Sequence, residues 1–110
     1  MLIGRRYERR AARFLKRRGL RILGRNVRVG RDEIDLIARD GMVAVGVEVR
    51  HRKRSRMVAD LSADYRKIAR LRRAWSHLAR DLRLSPSIPV RFDLVLTAAD
   101  GSLSWHQGVV

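Results

Sequence analysis

The stretch "EIDLIARDGMVAVGVEVR", residues 33–50, constrains this chain more than any other. It joins two apolar runs through Asp40-Gly41, and an Asp-Gly pair between such runs is a strong local signal for a β-hairpin. Side chains two apart in a strand share a face. Val43, Val45, Val47 and Val49 therefore fill one face of the second strand, while Glu48 and Arg50 stand on the other. In the first strand Glu33 and Asp35 project together, with Ile34 and Leu36 opposite. Hairpin pairing would bring Asp35, Glu48 and Arg50 close together, and the small residues Ala44 and Gly46 would leave space above the acids.

The rest of the chain supplies helices and further strands. Ile3, Tyr7, Ala11, Phe14 and Leu15 form one apolar stripe, which predicts a helix over 3–18 ending at Gly19. Residues 20–29 read as a strand. Ile68, Leu71, Trp75, Leu78 and Leu82 step by helical intervals, predicting one long helix over about 60–83 that "SPSIP" (85–89) breaks. Residues 90–98 read as a strand, 99–101 as a turn, and the remainder as a final strand or tail. Trp75 belongs to the core stripe, His77 to the surface, Trp105 packs on the sheet, and Asp93 is a salt-bridge partner for an arginine. With 110 residues the expectation is a single α/β domain, a mixed β-sheet flanked by helices.

Charge decides the class of partner. The formal net charge is +15, from 26 Lys plus Arg against 11 Asp plus Glu. That surplus points to nucleic acid, with an acidic protein or a membrane surface as alternatives. Only Lys16, Lys53 and Lys67 are lysines, which suits phosphate recognition by arginine forks but also fits an arginine-rich proteome. Arg50, Arg52, Lys53, Arg54 and Arg56, with His51, form the densest cationic run. As a loop it would hold phosphates without reading bases, or simply be a solvated charged segment. Lys67 is a further candidate contact for nucleic acid. There is no cysteine, and three scattered histidines argue against zinc. No apolar run approaches ~18 residues and the N-terminus lacks a signal-peptide core, so the expectation is a cytoplasmic protein without a membrane segment.

Two carboxylates converging on one sheet face repel unless a cation lies between them. A hard ion such as Mg²⁺ takes one or two carboxylates plus water and phosphate oxygens, and can activate water against a phosphodiester. Ordinary ion pairs between Asp35, Glu48 and the many arginines would leave the same trace in the sequence.

"GRDEIDLIARDG" followed by "VGVEVRHR" resembles the YraN family of bacterial proteins, assigned to the PD-(D/E)XK nuclease superfamily and similar to archaeal Holliday-junction resolvases. The resemblance continues through Gly4, Glu8, Ala11, Phe14, Leu15 and Gly19, "ILGRN" (22–26), Lys67, Trp75, "VRFDLVL" (90–96) and Trp105. It implies a restriction-endonuclease-like fold and a Mg²⁺- or Mn²⁺-dependent DNA endonuclease, with branched DNA among its candidate substrates. Asp35 and Glu48 would be the metal ligands, Glu8 would approach the same site from the first helix, and Glu33 would support them. Arg50 stands where the superfamily places its catalytic lysine. Asp32 replaces a glycine, and Gly46 replaces a bulky strand residue. Arginine stays charged and cannot act as a base, so activity would be weakened or altered. The competing expectation is a nucleic-acid-binding module that keeps the fold without the chemistry; basic composition alone would also permit an RNA- or ribosome-associated protein. Resolvase-like action on a symmetric junction would favour a homodimer.

Overall fold

Helix α1 (Leu2–Arg17) opens the chain and buries Ala11, Ala12 and Leu15. It closes with a paired C-terminal motif: Gly19 N donates to Lys16 O at 3.0 Å and Leu20 N to Leu15 O at 3.1 Å. Buried Leu20 then packs in the same cluster as Leu15, the hydrophobic contact that accompanies this kind of cap. The computed structural model describes residues 2–51 and 62–109, with side chains described from residue 5 in the first stretch and residue 64 in the second. Arg52, Lys53, Arg54 and Arg56, read from the sequence as phosphate contacts, lie outside the described residues.

Strands β1 (Arg21–Val29), β2 (Asp32–Asp40) and β3 (Val43–His51) form an antiparallel meander. Gly41, at φ 60°, takes the first loop position between β2 and β3, where a type II′ turn needs a positive φ. Helices α2 (Ser62–Arg73) and α3 (Trp75–Asp81) then carry the chain across to β4 (Val90–Thr97), which pairs parallel to β3. A parallel pair needs such a crossover. Strand β5 (Leu103–His106) adds antiparallel to β4, giving one five-stranded sheet in the order β1-β2-β3-β4-β5. This mixed α/β sheet with helices on both faces is compatible with the restriction-endonuclease-like fold expected from the sequence. No helix among the described residues is long and apolar enough to cross a membrane.

One long helix over 60–83 was expected; two are found. Ala74 N is shared between Arg70 O (3.2 Å) and Leu71 O (3.1 Å), so the chain tightens for one residue before α3 begins. The apolar stripe could not reveal the break, because Ile68, Leu71, Trp75 and Leu78 all still face one core.

That core is one of two, divided by the sheet. Leu36, Ala38, Val45, Val47, Val49 and Val95 pack against α1, whereas Ile37, Ala44 and Phe92 pack against α2 and α3. Ile34 joins the α2–α3 side although Leu36 lies on the α1 side, so the expected alternation fails between them. The space expected above Gly46 is also absent. Phe92, paired with Gly46 on β4, lays its ring there, and a Cβ on Gly46 would come within 2.6 Å of it. The glycine therefore does not thin the core as its sequence position suggests; an aromatic ring on the next strand fills the volume.

Asp93, fully buried, ties the last segment down. It pairs with Arg91 (2.8 and 2.9 Å) and accepts from Trp105 Nε1 and Gly108 N, both at 2.9 Å. Trp105 in turn packs edge-on to Phe14. Both readings from the sequence hold here.

Gly46→Val is expected to destabilise the fold by roughly 1–3 kcal/mol in urea titrations, through overpacking against Phe92. Adding Phe92→Leu should recover part of that loss; a Gly46→Val protein as stable as wild type would contradict this packing.

Candidate functional site

The site forms where β2 and β3 part. Their register runs from Asp40↔Val43 to Leu36↔Val47 and stops there. The next inward-facing amide, Val49 N, donates instead to Asp35 Oδ2 at 2.8 Å. A side-chain carboxylate thus takes a place that a strand carbonyl would otherwise fill. On the other edge of β2, Asp35 lies opposite Asn26, between the pairs Arg25↔Leu36 and Val27↔Ile34. Asn26 has φ 51°, a left-handed conformation that Asn adopts more readily than most residues. This local irregularity coincides with the switch of face between Ile34 and Leu36.

At the fork Asp35 meets groups from both sides of the sheet. Glu8, from α1, faces Asp35 and Asn26. Burial raises the Glu8 pKa, the Asp35 charge adds to that, and Glu33 contributes a smaller push in the same direction. Asp35 is also raised by burial, offset in part by the Val49 amide and the positive charges of Lys67 and Arg50.

Glu48 is 1% exposed, and its buried Oε2 atom has no hydrogen-bond partner among the described residues. Its Oε1 accepts from Lys67 Nζ at 2.7 Å, with Arg50 Nη2 further off at 3.8 Å. Burial, followed by the charge of Asp35, pushes the Glu48 pKa up to about 7 despite Lys67. An unpartnered buried carboxylate oxygen is expensive to keep ionised, so this atom marks a position suited to a proton or a cation.

Arg50 and Lys67 exchange the places that strand pattern alone suggests. Arg50 turns to Asp64 on the first turn of α2: its Nε donates at 2.8 Å and its Nη2 to the same oxygen. Burial works against its charge, but the hydrogen bonds and charge of Asp64 outweigh it and hold the Arg50 pKa above the ordinary value. Lys67, read from the sequence as a contact for nucleic acid, points its amine from α2 at Glu48. An amine therefore reaches Glu48 from α2, while position 50 turns to Asp64. Asp32, the other departure from the family pattern, makes a two-pronged pair with Arg70 at 2.8 Å on both oxygens, fastening the start of β2 to α2. Its pKa is lowered chiefly by those hydrogen bonds.

The structure thus gathers Glu8, Asp35, Glu48 and Arg50 at one end of the sheet, with Glu33 near Glu8. The residues that sequence reasoning missed are Asn26, Asp64 and the Glu48-directed role of Lys67. Among the described residues, no group of three or more His, Asp or Glu side chains is arranged to hold a metal ion alone. Asp35 and Glu48 match the smaller demand of Mg²⁺, one or two carboxylates with water and phosphate oxygens completing the shell, and the orphaned Oε2 of Glu48 fits that demand.

The model of the Uncharacterised protein family UPF0102 matches residues 7–97. This chain belongs to that family. The UPF0102 protein of Dechloromonas aromatica (strain RCB) is 45% identical over 103 residues, 93% of this chain and 82% of that protein. The UPF0102 protein STH1475 of Symbiobacterium thermophilum is 46% identical over 97 residues, 84% and 79% of the two chains. The UPF0102 protein of Coxiella burnetii (strain CbuK_Q154) is 33% identical over 109 residues, 98% and 91%. The UPF0102 match runs from within α1 to the end of β4, and so includes Glu8, Asp35, Glu48 and Lys67.

Glu48 gives the UPF0102 site a signature in pH. Between 4.5 and about 7 the folded state keeps a proton on Glu48 that the unfolded chain has released, so stability falls as pH rises through that window. The loss through Glu48 should reach about 3 kcal/mol by pH 8. Urea unfolding across this range should show the slope, and Glu48→Gln should flatten it; an unchanged slope in the variant would place the titration elsewhere.

Proposed function

We propose that this UPF0102 protein is a metal-dependent nuclease that hydrolyses phosphodiester bonds, with DNA as substrate. The observation that carries the reading is Glu48: a buried carboxylate with one oxygen unpartnered, next to Asp35 and facing a lysine amine. A Mg²⁺ or Mn²⁺ ion held by Asp35 and Glu48 would stabilise charge on the phosphate and activate the attacking water. The chain's own groups have separable tasks. Asp35 is oriented by the Val49 amide. Glu8 stands beside Asp35 from α1, its pKa raised by burial and by the Asp35 charge. Lys67, freed from Glu48 when another cation takes its place, can donate to a water or to a non-bridging phosphate oxygen, a contribution of the oxyanion type. Arg50 braces β3 against α2 through Asp64 and adds positive field. The net charge of +15 supplies the attraction for a polyanion.

One observation favours a second reading. Lys67 already neutralises Glu48 at 2.7 Å, which is how a binding module that has lost its chemistry would settle the same acid. Such a module binds nucleic acid and cuts none.

The deciding experiment is cleavage of linear, flapped and four-way DNA with Mg²⁺ or Mn²⁺. Asp35→Asn and Glu48→Gln are each expected to lose at least about a hundredfold in rate, and Lys67→Ala about a hundredfold or more. Arg50→Lys should not raise activity, because it gives up the fork on Asp64. Absence of cleavage with every substrate and both metals would establish the binding module instead. A gain in Arg50→Lys would return the amine role to position 50.

A further inference from the structure

His51 ends β3 three residues beyond Glu48, but on the opposite face of the sheet, beside α1. Its ring stacks on Tyr7 with centroids 4.0 Å apart and planes 9° from parallel. Nδ1 lies 2.8 Å from Thr97 Oγ1, a buried hydroxyl on β4. The imidazole is therefore held on one flat side and at one edge. The edge left over carries Nε2. Thr97 Oγ1 also donates to Arg50 O, so it accepts from Nδ1–H, and Nε2 bears a hydrogen it can donate when the ring is the imidazolium.

His51 lines a cavity of about 490 Å³ together with Arg6, Tyr7, Arg10, Ala98, Ala99 and Gly101. Arg6 and Arg10 are one helical turn apart on α1, and the Arg10 guanidinium is fixed by donating to Gly101 O. Among the described lining residues none is acidic; Asp100, in the same turn, directs its carboxylate to Ser102 N and Oγ. A smaller cavity across the helix, lined by Arg5, Arg9 and Arg25, contains Glu8 and belongs to the site already described. Two guanidinium groups and an imidazolium N–H around a solvent-open cavity match the donor set that binds phosphate oxygens.

We propose that Arg6, Arg10 and His51 form a phosphate pocket that grips the backbone of the nucleic-acid strand whose cleaved or bound phosphate lies at Glu48. The inference rests on the reading of the chain as a nucleic-acid enzyme or binder, and names a contact away from the carboxylates. His51 is three residue steps from Glu48, roughly 10 Å along β3, and on the other face of the sheet. The pocket therefore positions the strand and takes no part in the bond cleavage.

The test is equilibrium binding of a labelled DNA duplex and a labelled single strand by fluorescence anisotropy, in EDTA so that no hydrolysis intervenes. Arg6→Glu is compared with Arg80→Glu, a change of equal charge at an exposed position on α3. Arg6→Glu should weaken binding about tenfold more than the control and lower the salt slope by about one. His51→Gln should weaken it several-fold, and Arg6→Gln, which places no acid beside Arg10, should show part of the same loss with an unchanged thermal melt. Equal losses in Arg6→Glu and Arg80→Glu would overturn the pocket, since net charge alone would then explain them. Saturable shifts of the His51 ring signals with inorganic phosphate, combined with DNA affinity indifferent to Arg6, would also overturn it and leave a small-anion site. Binding that depends on Arg6 without cleavage under any metal leaves the pocket standing while hydrolysis fails; cleavage with Arg6-independent binding gives the reverse.

Discussion

The hydrogen bond from Val49 N to Asp35 Oδ2 is the interaction on which the site depends. Backbone pairing of β2 and β3 ends at Leu36↔Val47, and an unpaired amide in the sheet interior would otherwise be orphaned. The Asp35 carboxylate satisfies it, and in doing so is drawn into the fork between the strands. From there it meets Glu8 from α1 and the field of Lys67 and Arg50 from the other side. Glu48 follows one residue before Val49, buried against Lys67 on the α2 side. The sheet is thus split locally to bring acids from β2, β3 and α1 to one end.

Holding acids this close has an electrostatic cost, which the surrounding charges offset unevenly. Asp32 and Asp93 have arginine partners with paired hydrogen bonds, and Asp64 receives two from Arg50. These pairs fasten β2 to α2, the C-terminal segment to β4, and α2 to β3. Glu8, Asp35 and Glu48 are the exceptions: all three have raised pKa values with burial as the first cause. In a chain with a net charge of +15, three carboxyls whose pKa is nonetheless raised are the contrast that separates a site from a structural network.

Much of this organisation was legible in the sequence because it is local. The Asp-Gly hairpin, the valine face of β3, the α1 stripe with its Gly19 stop and the core placement of Trp75 follow from spacing within an element. What was hidden depends on contacts between elements. The break at Ala74 leaves the stripe intact on one core. The face switch between Ile34 and Leu36 comes from the strand fork, which strict alternation cannot anticipate. Phe92 fills the volume at Gly46 from a strand 46 positions away. The roles of Arg50 and Lys67 were hidden for the same reason. Their partners, Asp64 and Glu48, are 14 and 19 residues distant and meet them only once α2 lies over β3. Position 50 thus looked like a lost lysine, whereas the amine arrives from a helix.

The central claim is that Asp35 and Glu48 form one cation site, in which Lys67 stands until a metal takes its place. The most direct measurement is Mn²⁺ binding to the protein without nucleic acid, by calorimetry or electron paramagnetic resonance, for wild type, Glu48→Gln and Lys67→Met. Saturable binding of Mn²⁺ that Glu48→Gln abolishes and Lys67→Met tightens is the predicted result. Mn²⁺ binding that is the same in all three proteins, or undetectable in all three, would contradict it.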